Sequence, residues 1–148
     1  MAQRSQSRSA ARLAAVQALY QQDMEGTPTP RLIQEFHHHR LGATIEDVTY
    51  ADAEGDFFDD LVSGWAARKD DIDALIAAKL TEGWSIDRLD KPMKAILRAG
   101  AYELLARPDV PKASVISEYL DVADAFYDKR EKGFVNGLLD AIAKDARG

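Results

Sequence analysis

The amino-acid sequence predicts an all-α protein with seven helices in a single domain that spans residues 1–148. Apolar residues recur at helical spacing nearly throughout the chain, and no segment has a convincing strand pattern. Glycine or proline interrupts the pattern between several of these segments, which indicates short connections. A chain of 148 residues is also long enough to bury a core of its own.

Four helices are predicted in the first half of the chain. Thr29 and Pro30 provide an N-cap and a first-turn proline for the second of them, and Asp52 is a plausible cap for the third. Residues 41–50 lack the helical pattern and are predicted to form a loop. The apolar positions of the four helices are Leu13, Val16, Tyr20 and Met24; Leu32, Ile33 and Phe36; Phe57, Phe58, Leu61, Val62 and Trp65; and Ile72, Leu75, Ile76 and Leu80.

Three helices with wider apolar faces are predicted in the second half. Pro108 and Pro111 end the fifth helix and begin the sixth. The apolar positions are Met93, Ile96, Leu97, Ala101, Leu104 and Leu105; Val115, Ile116, Tyr119, Val122, Ala123 and Phe126; and Phe134, Val135, Leu138, Leu139 and Ile142. Helices of this length need mutual packing to be stable, so compact bundles are expected.

The charge distribution is uneven along the chain. The net charge is −6, but Arg4, Arg8 and Arg12 are the only charged side chains among the first 22 residues, which leaves −9 for the rest. Residues 1–9 are predicted to be a mobile basic arm. The four-residue spacing of the arginines would place them in a row beside the apolar stripe, where guanidinium groups pair with phosphates. The alternative is a tail whose arginines only aid solubility.

Two further basic patches are candidates for binding RNA. One lies on the fifth helix and the other precedes and enters the seventh helix, where cations alternate with aromatic rings. Such a mixture suits single-stranded RNA, because bases stack on rings while the backbone meets cations. The alternative for each is a solvated surface. The residues are Lys91, Lys94 and Arg98 with Tyr102, and Lys129, Arg130 and Lys132 with Phe126, Tyr127 and Phe134.

The dipeptide Asn136-Gly137 interrupts the apolar pattern of the last helix. Glycine inside a helix costs roughly 1 kcal/mol relative to alanine, so a compensating role is expected. We predict that Gly137 allows close helix packing, and we leave the role of Asn136 open.

No catalytic residue, metal site or cofactor is predicted. The chain has no cysteine, and consecutive helical side chains such as His37 to His39 point about 100° apart and cannot converge on one ion. The acidic pairs Asp59-Asp60 and Asp70-Asp71 suit helix ends. Glu103 is the one candidate for a perturbed carboxylate, but it lacks catalytic partners. Trp65 and Trp84 are interpreted as core or helix-end packing residues. The chain carries no apolar run of membrane-spanning length and no secretory signal, which favours the cytoplasm.

Four segments resemble the NusB family. They are AVQALYQQDM (15–24), DKPMKAILRAGAYELL (90–105), DVPKASVISEYLDVADAF (109–126) and FVNGLLD (134–140), the last closely similar to the family's FVNGVLD. The similarity covers almost the whole chain in the right order and is poorest near residues 41–50.

The resemblance implies two three-helix bundles packed roughly at right angles. It implies a transcription antitermination factor that binds boxA RNA of nascent ribosomal RNA, together with the ribosomal protein NusE and the transcription elongation complex. Carried over by position, the RNA-binding residues are Arg4, Arg8, Arg12, Arg98, Lys129, Arg130, Lys132, Phe134 and Asn136. The partner-protein residues are Tyr20, Lys91, Met93 and Lys94.

Two departures from the family pattern bear on RNA affinity. Gly133 and Asp124 stand where many relatives have basic residues, which predicts weaker RNA binding or a stronger dependence on NusE. The alternatives are a helical protein-protein adaptor, or a homodimer, without intrinsic RNA binding. A NusB-like domain also occurs fused to RNA methyltransferases, but this chain is too short for the catalytic domain and lacks its glycine-rich cofactor motif.

Overall fold

The structure is a computed structural model that describes residues 2–39, 44–45, 48–49 and 55–147. Its helices are α1 (Ala2–Glu25), α2 (Thr29–His39), α3 (Gly55–Ala77), α4 (Lys91–Ala106), α5 (Lys112–Asp124) and α6 (Lys129–Arg147). A short 3-10 helix, Ile86–Arg88, lies between α3 and α4. The predicted all-α fold class is confirmed.

The helix count differs from the prediction at one point. The predicted third and fourth helices are the two halves of α3, which continues through a kink at Arg68, where φ is −124° and ψ is 20°. The apolar pattern changes register at this kink, so the sequence alone suggests two elements. The described residues therefore form six α-helices rather than seven.

The predicted loop at residues 41–50 contains a minimal antiparallel pair, β1 (Thr44–Ile45) and β2 (Val48–Thr49). Thr44 pairs with Thr49, and Ile45 pairs with Val48. All four residues are β-branched, which favours extended backbone. The prediction of a loop without strand is wrong for these four residues, and the other residues of that loop lie outside the described residues.

Helix α4 is the centre of the molecule. Helices α1, α2 and α3 contact one another, α4, α5 and α6 contact one another, and α4 also packs on α1 and α3. Ten of the sixteen α4 residues are buried, as expected for a helix with neighbours on most sides. These contacts agree with two three-helix bundles, and the right angle between the bundles stays a prediction.

Both ends of α4 are held by side chains. The Asp90 carboxylate accepts a hydrogen bond from the Met93 backbone N–H at 3.1 Å, and a proline follows in the first turn. At the other end, the guanidinium of Arg147 donates to the backbone carbonyls of Leu104 at 2.9 Å and Arg107 at 2.7 Å. These bonds satisfy backbone groups that a helix end leaves unpaired. The C-terminus of α6 thus fixes the end of the central helix.

The N-terminal segment is helical in its backbone from Ala2 onward. The mobility of the predicted basic arm, residues 1–9, stays a prediction. Among the described residues, no helix combines the length and apolar character that a membrane crossing requires.

Candidate nucleic-acid and partner-protein surfaces

Arg12 is in the core and not on the surface predicted for phosphate binding. The residue is 3% exposed, and its Nε and Nη2 donate to the two oxygens of Glu103 at 2.9 and 2.7 Å. Its Nη1 donates to Glu118 at 3.0 Å. The expectation that this side chain pairs with RNA is therefore corrected, because α4 and α5 cover the flank of α1 on which it lies.

The carboxylate of Glu103 is the acceptor at the centre of this buried network. It also accepts a hydrogen bond from the hydroxyl of Tyr119 at 2.9 Å. Burial, together with Glu103, raises the pKa of the Tyr119 hydroxyl well above its ordinary value. Burial alone would lower the pKa of Arg12, but the hydrogen bond and charge of Glu103 outweigh it and the pKa of Arg12 is raised. Glu103, which the sequence marked as the candidate perturbed carboxylate, thus serves as a structural anchor between α1, α4 and α5.

The ring of Phe57 lies under three guanidinium groups. The Cζ atoms of Arg8, Arg12 and Arg107 are 4.7, 5.0 and 5.0 Å from its centroid. Cations over an aromatic face are attracted by its quadrupole. Arg8 is half-buried there, so the described part of the N-terminal arginine row starts beside the core. The side chain of Arg4 lies outside the described residues.

The cations predicted to form a basic face on the fifth helix meet acidic side chains of neighbouring helices. Arg98 donates from Nε and Nη2 to Asp73 at 3.0 Å each and lies 4.7 Å over the ring of Trp65. Lys91 and Lys94 lie 3.2 and 3.4 Å from Asp23. The Arg98 side chain is only 15% exposed. An open basic stripe at this position is therefore wrong, because Asp73 of α3 and Asp23 of α1 neutralise it.

The neighbouring lysines shift the pKa of the Asp23 carboxyl. Partial burial raises its pKa, but the hydrogen bond of Lys91 and the charges of Lys94 and Lys91 outweigh that effect and lower the pKa. Tyr102, predicted on the same basic side, is instead buried and donates to Asp60 at 2.7 Å. Burial and the bond to Asp60 raise the pKa of Tyr102 to about 12.

The start of α6 presents the most open set of predicted RNA-binding residues. Lys129, Arg130 and Asn136 are exposed, and the ring of Phe134 is 40% exposed. Lys132 is half-buried and forms an ion pair of 2.7 Å with Asp124 at the end of α5. The structure thus brings cations, a ring and an amide to one end of α6, while Asp124 neutralises one cation.

Gly137 does not serve the predicted packing role. A Cβ placed on this residue would meet nothing within 4 Å, and the residue is exposed. The tightly packed glycine is Gly64 on α3, where such a Cβ would lie 2.1 Å from the ring of Tyr102. The exposed position of Gly137 leaves the helix surface beside Asn136 flat.

An apolar groove lies between α1, the start of α4 and the end of α5. Tyr20, Met24 and Phe126 are 39%, 55% and 48% exposed there, and Pro92 completes the lining. The groove has a volume of about 600 Å³. Tyr20 was predicted for the partner surface and Phe126 for a basic and aromatic RNA-binding patch, whereas Met24 was predicted only as an apolar helix position.

The remaining predicted partner residues differ in access. The Lys91 side chain is 43% exposed, whereas that of Lys94 is 11% exposed and Met93 is 6% exposed. Met93 is thus nearly buried and lines the cleft at the start of α4, and its contact with a partner stays a prediction.

His37 and the acidic pair Asp59-Asp60 have side-chain partners. His37 Nε2 lies 2.6 Å from Asp59 Oδ1, and Asp60 accepts hydrogen bonds from Tyr102 and Arg107. Among the residues that the structure describes, no three histidine or acidic side chains come together to hold a metal ion. Trp65 is buried as predicted, whereas Trp84 is 55% exposed and is not part of the core.

Sequence comparison connects this arrangement to known proteins. A sequence model of the NusB family matches residues 9–144. The chain is 67% identical over 147 residues to the transcription antitermination protein NusB of Sphingopyxis alaskensis, with 99% of both chains covered. It is 64% identical over 140 residues to the protein of the same name from Novosphingobium aromaticivorans, with 95% of both chains covered.

Solved structures with the same fold agree. NusB of T. maritima superposes with a TM-score of 0.78 at 29% identity, over 95% of this chain and 93% of that one. The NusB chain in a crystal structure of the antitermination factors NusB and NusE with double-stranded RNA gives a TM-score of 0.79 at 26% identity, over 95% and 98% of the two chains.

Proposed function

Because this chain belongs to the NusB family, we propose that it is a transcription antitermination factor that binds boxA-type RNA of nascent ribosomal RNA together with NusE. In this role it helps RNA polymerase in the elongation complex to resist termination. The observation that carries the proposal is the pairing of 67% identity over nearly the full chain with an exposed cationic and aromatic surface at the start of α6.

The RNA surface is proposed to centre on the exposed residues of α6. Lys129 and Arg130 provide charge for the phosphates, Phe134 provides a ring for stacking, and Asn136 provides donors and an acceptor for a base edge. Arg8 and Arg4 are proposed to add cations from α1. Such a local site is compatible with a net charge of −6, because phosphate contacts depend on nearby cations.

Arg12 and Arg98 are proposed to act on RNA only through structure. Arg12 is bound to Glu103 and Glu118, and Arg98 is bound to Asp73, so each would have to give up a formed ion pair to reach a phosphate. Their role is to fix α1 and α3 against α4.

The partner protein is proposed to contact the apolar groove of Tyr20, Met24, Pro92 and Phe126. Exposed aromatic and methionine side chains that share one groove are typical of protein interfaces. Lys91 lies in the turn that carries Pro92 and would provide charge at its edge. This groove is separate from the α6 residues named above, so one molecule can engage both partners.

We further propose that the chain has no catalytic activity and acts in the cytoplasm. Among the residues that the structure describes, Glu103 is the one deeply buried carboxylate, and Arg12 and Tyr119 hold it, which leaves it unsuited to proton transfer. A role on nascent RNA requires access to the transcribing polymerase.

The function is tested by fluorescence anisotropy with boxA RNA and a scrambled RNA of equal length, with and without NusE. We expect tighter binding of boxA RNA, most clearly with NusE present. The variant Arg31→Ala, at an exposed position on α2, is the matched control and is expected to leave binding unchanged. Binding of NusE without any preference for boxA RNA would favour the helical adaptor instead.

A further inference from the structure

A second cleft lies on the other side of the α4 N-terminus. One wall is the connection between α3 and α4, and the other wall is the first two turns of α6. Its volume is about 420 Å³, within the range of clefts that hold small organic groups. The lining residues are Leu80, Thr81, Trp84, Arg88, Leu89, Asp90, Met93, Tyr127, Arg130, Glu131 and Phe134.

The rings on the two walls of this cleft are accessible. Trp84 is 55% exposed on one wall and Phe134 is 40% exposed on the other, while Met93 forms a buried floor. Tyr127 is fixed from below, because its hydroxyl donates to Asp90 at 2.5 Å. Apolar ring surface that is exposed to water carries a free-energy cost, and a flat partner that stacks on the rings would remove this cost.

The charges of this cleft nearly cancel. Arg88 and Arg130 stand on opposite walls, and Asp90 and Glu131 are the carboxylates of the lining. Asp90 is already engaged as the cap of α4 and by Tyr127. A neutral cleft attracts a phosphate weakly, but its guanidinium, carboxylate and hydroxyl groups can meet the donors and acceptors of an uncharged base.

We propose that this cleft receives an unpaired nucleobase of the bound RNA, which stacks on Trp84 and Phe134. The inference rests on the proposed function and extends the RNA surface from α6 across to the α3–α4 connection. The occupant is RNA because Phe134 and Arg130 belong both to the cleft and to the proposed RNA surface, so a strand bound along α6 passes its mouth. Flat bases match an aromatic cleft of neutral charge better than an extended peptide does.

The first test compares two substitutions at Trp84 by anisotropy with boxA RNA and NusE. Trp84→Ala removes a stacking ring and is expected to weaken RNA binding by about fivefold to 150-fold. Trp84→Phe keeps a ring and is expected to retain most of the affinity. Circular dichroism should show unchanged helicity in both, because the side chain is largely exposed.

The second test uses the two tryptophans of the chain as reporters. In Trp65→Phe the only tryptophan emission comes from Trp84, and stacking of a base is expected to quench it on RNA addition. In Trp84→Phe the only emission comes from the buried Trp65 and should change little. This readout would not move if Trp84 had a purely structural role.

The outcomes separate the cleft from the function. Loss of affinity in Trp84→Ala with quenching of Trp84 supports the cleft. The proposed cleft is overturned if Trp84→Ala keeps the affinity of the wild type, or if RNA does not change the emission of Trp84. In either case the proposed function still stands as long as the wild-type chain binds boxA RNA. Weakened binding of NusE alone to Trp84→Ala would identify a protein surface and also overturn it. If the wild-type chain binds no boxA RNA, both proposals fail.

Discussion

At the residue scale, helix packing makes Arg12 a buried structural residue although its sequence position suggested a surface cation. Its guanidinium is removed from water and contacts Glu103, Glu118 and the ring of Phe57. Charges can be buried in this way only when their partners are buried with them. Arg12 therefore joins α1 to α4 and α5.

The first prediction concerns the loss of this side chain. Arg12→Ala leaves the Glu103 carboxylate buried without its cation, so the free energy of unfolding should fall by about 3–5 kcal/mol. Arg31→Ala, at an exposed ion pair, should change it by less than about 0.5 kcal/mol. Urea unfolding measures both values. Equal stability of the two variants would contradict the buried network.

The second prediction compares two glycines. Gly137→Ala should raise the free energy of unfolding by about 1 kcal/mol, because alanine favours helix and the added methyl group meets no atom. Gly64→Ala should lower it by about 1–3 kcal/mol, because its methyl group must displace the ring of Tyr102. Thermal unfolding of both variants is the measurement, and a loss of stability in Gly137→Ala would show a packing role for that residue.

The third prediction concerns the ion pair between Asp124 and Lys132. Asp124→Asn releases the lysine at the edge of the proposed RNA surface. RNA binding should then tighten by about two- to fivefold. The slope of log affinity against log salt should steepen by about 0.7 if the lysine gains one phosphate contact. Unchanged affinity and slope would place Lys132 outside the RNA surface.

At the element scale, two tyrosine–carboxylate bonds hold α4, one to α5 in its own bundle and one to α3 in the other bundle. Tyr119 of α5 donates to Glu103, and Tyr102 of α4 donates to Asp60 of α3. Burial and the adjacent carboxylates raise the pKa of both hydroxyls, that of Tyr102 to about 12. A phenol whose pKa is raised on folding adds stability below its unfolded pKa of about 10, and this stability is lost as pH rises through the folded pKa.

The fourth prediction follows from the loss of this stability at high pH. The free energy of unfolding should fall as pH rises from about 10 to about 12, because the unfolded chain releases these protons first. Tyr102→Phe should show a shallower fall over the same range, since it has one fewer proton to lose. Urea unfolding at a series of alkaline pH values is the measurement. Identical slopes for the two proteins would show that the Tyr102 bond to Asp60 does not carry the dependence.

The elements themselves were largely predictable from local pattern. The wide apolar face of α4 and the cap at Asp90 lie within short stretches of sequence, so their prediction is confirmed. The change in apolar register near Arg68 predicted two separate helices, and the sequence did not show that one helix continues through the kink. The pairing of Thr44–Ile45 with Val48–Thr49 was missed because two-residue strands are too short to show a periodic pattern.

At the scale of the whole molecule, the candidate site was only partly predictable. A sequence shows cations but not the acids that packing brings to them, and so Arg98 was predicted to be open although Asp73 covers it. Arg12 did carry a usable signal, because it precedes Val16 and Leu19 at four- and seven-residue spacing on the buried face of α1. On α6, Lys129, Arg130 and Asn136 are exposed, in agreement with a surface role.

The proposed function requires this acidic protein to bind RNA through a small cationic surface at the start of α6. The most direct test is the salt dependence of boxA RNA binding, with NusE present, for the wild type, for Lys129→Ala combined with Arg130→Ala, and for Arg31→Ala. For the wild type we expect a slope of log affinity against log salt of roughly −2 to −3.5. The slope of the double variant should be shallower by about 1.4, and the slope of Arg31→Ala should equal that of the wild type. A double variant that keeps the wild-type affinity and slope would contradict it.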